Sequence, residues 1–197
     1  MAPDGLFKVK ILTSKIDEKI LAANSSQHKT LRNNLVPKKI EIFVWRALRK
    51  RLPVRIELDK IGIDLHSVRC PLCDEDVESV DHSLISCKLA IEVWDRVFRW
   101  WKMGTFGSYT LVDVLNDKGS QSMTSLGKKI CQAIKWVCAY LVWSNRNNKV
   151  FKDKCWNAPV ALNEIQAKYF EWISNRVKRK KVEWHVWLSN PRVYLNL

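Results

Sequence analysis

The spacing Cys70-Pro71-Leu72-Cys73, then His82, then Cys87 constrains this chain more than any other feature. It reads C-x2-C-x8-H-x4-C. Two thiols two residues apart grip one ion from a tight knuckle, and an imidazole and a third thiol complete four ligands. Three sulfurs and one nitrogen suit tetrahedral Zn2+, with thiolate bonds of about 2.3 Å and an imidazole bond of about 2.0 Å. The spacing differs from the retroviral knuckle, which has four residues between its second Cys and its His, and from fingers that end in two His. Four protein ligands leave no open position for water, so the expected metal is structural rather than catalytic. The alternative is a set of reduced core cysteines beside an incidental histidine. His66, four residues before Cys70, is a weaker candidate ligand than His82, and His28 reads as a solvated loop residue.

Charge is distributed unevenly around this motif. The net charge is +14. Residues 28–69 carry eleven Lys or Arg against four acids, and residues 125–158 carry seven against one. Residues 70–87 carry five acids (Asp74, Glu75, Asp76, Glu78 and Asp81) and no Lys or Arg. Three thiolates on Zn2+ also leave the centre itself at about −1. The metal loop therefore repels phosphate, and nucleic acid would have to be met by the flanking helices.

Cys131, Cys138 and Cys155 remain outside the motif, an odd number. Met1 to Lys10 lacks the apolar core of a signal peptide, so the cysteines are expected reduced in an intracellular protein. No apolar run reaches membrane-spanning length; the longest, Ile130 to Trp143, is interrupted by Gln132 and Lys135. Nucleophile–base pairs and phosphate-cradling glycine loops are absent, and the chain is read as non-catalytic.

Few Gly and Pro interrupt the chain, and periodicity favours a mostly α fold around the zinc module, with at most a short N-terminal strand or hairpin. Phe7, Val9 and Ile11 alternate with Lys8 and Lys10 as in a half-buried strand over 5–12, and a helix carrying Ile16, Ile20 and Leu21 follows. Pro37 is expected at N1 of a helix burying Ile40, Phe43, Val44, Ala47 and Leu48, with Trp45 at the edge of its basic face. A short helix over 54–61 comes next. Another, from Glu78, carries His82 and breaks at Ser86–Cys87. A helix over 89–102 buries Ile91, Trp94, Val97, Phe98 and Trp101, where Trp100 and Trp101 read as core anchors rather than base-stacking platforms. Residues 103–125 read as a mostly irregular connection. Residues 125–152 form a central core helix, with Cys131 and Cys138 on one face. Its tail, Asn145 to Lys149, is either a solvated end or a phosphate contact. Asn157 and Pro159 open the next helix, with Leu162, Ile165, Tyr169, Trp172 and Ile173 buried. The domain reading is 1–103, a connection over 104–124, and a helical region over 125–197 that packs on the first.

Pro37-Lys38-Lys39-Ile40, Phe43-x-Trp45-Arg46, Leu52-Pro53, Leu58, Gly62, the Cys-x2-Cys, Glu78-Ser79, His82, Cys87 and Trp94 together resemble the reverse-transcriptase zinc-binding domain of plant LINE-type (non-LTR) retrotransposons. The likeness covers about residues 1–103. Trp143-Ser-Asn-Arg146-Asn147 with Val150-Phe151 resembles the segment that commonly follows. Leu31 and Leu35 stand where members often have Trp. The resemblance implies Cys70, Cys73, His82 and Cys87 as Zn2+ ligands and a role in gripping nucleic acid during target-primed reverse transcription. No Asp-Asp pair occurs, so polymerase activity does not carry over, and the chain reads as a fragment or a free-standing descendant. Expected nucleic-acid contacts are Lys38, Lys39, Arg46, Arg49, Lys50, Arg51, Arg55 and Arg146, with Lys178, Arg179, Lys180 and Lys181 second. RNA or DNA is the expected partner and the nucleus the expected location. The alternative is a structural module that docks a reverse transcriptase or another protein.

Overall fold

Leu35, Val36, Ile40, Phe43, Val44 and Ala47 recur at helical spacing and are all buried, which commits the start of the described chain to a helix lying on a core. The computed structural model describes residues 32–107, 110–116, 124–177 and 183–195. The expected strand over 5–12, the helix after it, His28, Leu31 and the basic run Lys178 to Lys181 lie outside the described residues. Arg32–Leu197 cluster as one compact unit. The described residues are mostly helical, as the periodicity predicts, with one isolated antiparallel bridge between Arg69 and Val77.

Helix α1 spans Lys38–Leu48. Pro37 is its N-cap, in extended conformation, rather than its first helical residue. A proline ring suits either place, because neither position needs its missing N–H. Helix α2 spans Arg55–Lys60. A π-helical turn, His82–Ser86, leads into α3, Lys88–Trp101. Leu111–Asn116 form α4, a short helix inside the stretch read as mostly irregular. Its Leu111, Val114 and Leu115 are buried, and Thr110 ties its first turn to Asp113. Helix α5, Ser125–Lys152, spans the predicted bounds, and Thr124 caps it by accepting from the Gly127 N–H at 3.1 Å. Helix α6 is Ala158–Arg176, capped by Asn157, which accepts from the Val160 N–H at 3.0 Å. Helix α7, Trp184–Ser189, and a 3-10 turn, Pro191–Leu195, follow.

Helix α5 lies at the centre. It packs against α1, α3, α4, α6 and the π-turn, and α3 packs along α6. This is why it is apolar nearly all round: Ile130, Ala133, Ile134, Trp136, Val137, Cys138 and Ala139 are fully buried. Asn33 fixes α1 to it by donating to the Lys129 carbonyl at 2.8 Å. A cluster of Trp100, Trp101, Tyr169 and Trp187, with centroids 5.2–5.8 Å apart, joins α3, α6 and α7. Trp101 is fully buried and bonds Cys131, so it anchors the core as expected. The buried face of α3 is rotated slightly from the expected one. Ile91 is 41 % exposed, while Ala90 and Val93 face inward. On α6, Leu162 and Trp172 are only half-buried, and Ala161 and Gln166 complete the inner face. No described helix is long and apolar enough to cross a membrane.

Truncating Trp101 to Ala removes a ring packed on three aromatic neighbours and is expected to cost about 3–5 kcal/mol. Ile91→Ala, on the exposed face, stays within about 0.5 kcal/mol of the parent. Chemical denaturation of the two variants reads both values; equal losses would misplace the core face of α3.

Candidate metal centre

The knuckle is built by backbone bonds that pre-shape it. The Cys70 N–H donates to the Asp76 carbonyl at 2.7 Å, the Asp74 N–H to the Cys70 carbonyl at 2.9 Å, and the Glu78 N–H to the Val68 carbonyl at 2.9 Å. Asp74 closes the turn in the left-handed region, φ 56°, which Asp tolerates better than most residues. Arg69 adds a side-chain bond to the Asp74 carbonyl. The result is a short hairpin stub, bridged at Arg69 and Val77, with Cys70 and Cys73 at its tip.

His82 and Cys87 reach the same place from the other side. Five residues apart, they would point in different directions on an α-helix. The π-turn alters this, because its wider turn carries the Cys87 N–H back to the His82 carbonyl at 2.8 Å. Cys87 is itself extended, φ −60° and ψ 136°, and serves as N-cap of α3. The expected break at Ser86–Cys87 is therefore present, as a π-turn that ends there. Ser79 Oγ accepts from the His82 N–H at 3.0 Å, fixing the first residue of that turn.

Ligand atoms of Cys70, Cys73, His82 and Cys87 all lie within 4.8 Å of one another. Cys70 Sγ and Cys87 Sγ are 3.9 Å apart, and Cys73 Sγ lies 3.3 Å from His82 Nε2. A tetrahedral ion with thiolate bonds of about 2.3 Å and an imidazole bond of about 2.0 Å needs sulfur–sulfur edges of about 3.8 Å and a sulfur–nitrogen edge of about 3.5 Å. The residues fit Zn2+. Nε2 faces the sulfurs, while Nδ1 is turned toward the Asp76 carboxylate at 3.8 Å, the side from which carboxylates orient metal-bound imidazoles. His66 is exposed and stands outside the cluster.

The Cys70 thiol donates to Cys87 Sγ. That bond lowers the Cys87 thiol below its ordinary range. The same bond, with burial, holds the Cys70 proton on far above it. Burial alone pushes the Cys138 thiol well up, which makes it an inert core group.

The basic residues fall into distinct environments. Lys39, Arg46, Lys50 and Arg51 are exposed. Lys38 is exposed but paired with Glu41 at 2.7 Å. Arg49 is half-buried, with its guanidinium carbon 4.7 Å from the centroid of Trp45. Arg55 spends its side chain on the Arg69 carbonyl, 2.8 Å away.

Arg146 corrects both readings of the α5 tail. It is 3 % exposed, so it is neither a solvated end nor a free phosphate contact. Its Nε and Nη2 donate to the two oxygens of the fully buried Glu78, each at 2.6 Å, and its guanidinium stacks 4.9 Å from the Trp143 centroid. Asn145 is buried as well and receives the Trp156 N–H at 2.8 Å. Periodicity could not reveal the Glu78–Arg146 pair, because its members are 68 residues apart.

Metal removal tests the centre. Chelation or Cys73→Ser is expected to unfold residues 62–95 first, seen as lost helicity and lost amide protection there. Helicity and solubility unchanged by both treatments would show that the ion does not hold the fold. Because the ligands are thiolates, protons compete with the ion. Apparent Zn2+ affinity is expected to fall by at least about tenfold per pH unit below neutrality, measured against a chromophoric chelator.

Residues 7–94 match the family described as zinc-binding in reverse transcriptase. No curated protein and no solved structure matches the chain. The matched span contains all four ligands and the fold element that presents each of them. Over residues 7–94 the chain is thus similar to the zinc-binding domain found in reverse transcriptase.

Proposed function

We propose that the chain is a non-catalytic, nucleic-acid-binding module in which Zn2+ holds the hairpin and α1 supplies the contact surface. The carrying observation is the turn that ends α1. Arg46, Lys50 and Arg51 are exposed there, Arg49 lies beside them, and none of the four forms an ion pair among the described residues. Arg49 Nη1 is buried with no hydrogen-bond partner. Arg49 and Arg51 both stack on Trp45, with guanidinium carbons 4.7 and 5.7 Å from its centroid, which holds planar forks in place for phosphate oxygens. Lys39 extends the basic surface toward the start of α1, standing 5.6 Å over the Tyr140 ring.

The ion contributes folding energy and no chemistry, since four protein ligands fill its shell. Asp74, Glu75 and Asp76 at the metal tip are exposed, so phosphate is directed away from the hairpin and onto α1. Binding of this kind is phosphate-led, weakly sequence-specific and strongly salt-dependent. The family and the plant LINE-type resemblance point to RNA or DNA handled during reverse transcription, in the nucleus, within or descended from a retrotransposon polyprotein.

A protein-docking role is the second reading. Phe151 is 77 % exposed and Val150 beside it 38 %, at the far end of α5.

Fluorescence anisotropy with labelled single-stranded RNA and duplex DNA, at about 50 mM and about 200 mM salt, separates the two. Affinity is expected to fall by about a hundredfold or more between these salts. Replacing Lys39, Arg46, Lys50 and Arg51 with Gln should lower both the affinity and the salt slope. Absence of binding at low salt, or affinity indifferent to salt, would leave the docking role.

A further inference from the structure

We infer that Glu78 and Arg146 are positioning residues for the metal centre, so that the long helix outside the matched domain sets the geometry of the ligands inside it. Glu78 touches no ligand atom, yet its bonds reach every segment that carries one. Through its backbone N–H, bonded to Val68, it closes the hairpin that holds Cys70 and Cys73. Through Oε1 it receives the Ser83 hydroxyl at 2.9 Å, and Ser83 is the residue after His82 in the π-turn. Through Oε2 it receives the Arg55 N–H at 2.9 Å, the first residue of α2. Knuckle and π-turn therefore meet at one buried residue, Glu78, whose backbone closes the hairpin and whose carboxylate holds the π-turn and α2.

That carboxylate is fully buried, and a lone charge in such a place is strongly destabilising. Arg146 supplies the matching charge through a two-pronged contact, from a side chain only 4 % exposed. Trp143, one turn earlier on α5, packs on the guanidinium face and limits its rotation. A planar fork held on both oxygens fixes the carboxylate plane, which a single point charge would not do. The ring of His82 and the sulfur of Cys87 then inherit their positions from the π-turn that Ser83 anchors.

Two full-length variants test this. Arg146→Lys keeps the charge and loses the fork. The paired change Glu78→Gln with Arg146→Gln removes both charges together, so that neither is left alone in the core. Thr124→Ala is the control; it removes the cap of α5 some 22 residues, or about 33 Å, away. Each protein is loaded with Zn2+, and transfer of the ion to excess chromophoric chelator is timed beside far-ultraviolet circular dichroism. Both variants are expected to release the ion about 10–100 times faster than the parent at parental helicity, with the control at the parental rate. The inference is overturned by a parental release rate in either variant that retains parental helicity. It is equally overturned if the Thr124→Ala control releases the ion as fast as they do.

Discussion

Convergence of three sulfurs and one imidazole nitrogen within 4.8 Å is the constraint on which the rest of this domain rests. The hairpin that carries two of the ligands has a single β-bridge and a left-handed Asp at its tip, too little to stand alone in water. A tetrahedral ion held by the four side chains would close the loop from Cys70 to Cys87, with Cys87, the N-cap of α3, as one of its ligands. From α3 the order spreads inward, because its Trp94, Val97, Phe98 and Trp101 are buried among α5, α6 and the aromatic cluster. The four-residue cluster thus sits at the start of α3, where a bound ion would help set the direction in which that helix enters the core.

Polarity is divided to match. The tip around the ion is acidic, with Glu75 already paired to Lys88 at 2.6 Å and Asp74 and Asp76 open to solvent. The end of α1 is basic and lacks carboxylate partners among the described residues. A protein whose metal site is meant to touch a polyanion would not surround it with acids. Under the proposed function this is a division of labour, with the ion as a mechanical part and α1 as the contact surface.

Much of this was legible in the residues because the signals are local. A C-x2-C knuckle, an asparagine cap at 157 and the apolar run from Ile130 to Trp143 each depend on neighbours within a few positions. The break at Ser86–Cys87 followed from the five-residue interval, although the π-turn that supplies it did not. What escaped was non-local. Arg146 looks like part of a basic helix end, and only a carboxylate 68 residues earlier makes it a core residue. Ile91 looks buried by spacing, but α3 turns Ala90 and Val93 inward because small side chains there let α6 approach. Helix α4 hides in a stretch rich in Ser, Gly and Thr, where tertiary burial of Leu111, Val114 and Leu115 outweighs weak local propensity.

X-ray absorption at the zinc edge of purified protein is the most direct measurement of the central claim. The account predicts a four-coordinate shell of three sulfurs at about 2.3 Å and one nitrogen at about 2.0 Å, with no solvent oxygen. A shell containing water, fewer than three sulfurs, or no ion-bound sulfur at all would contradict it.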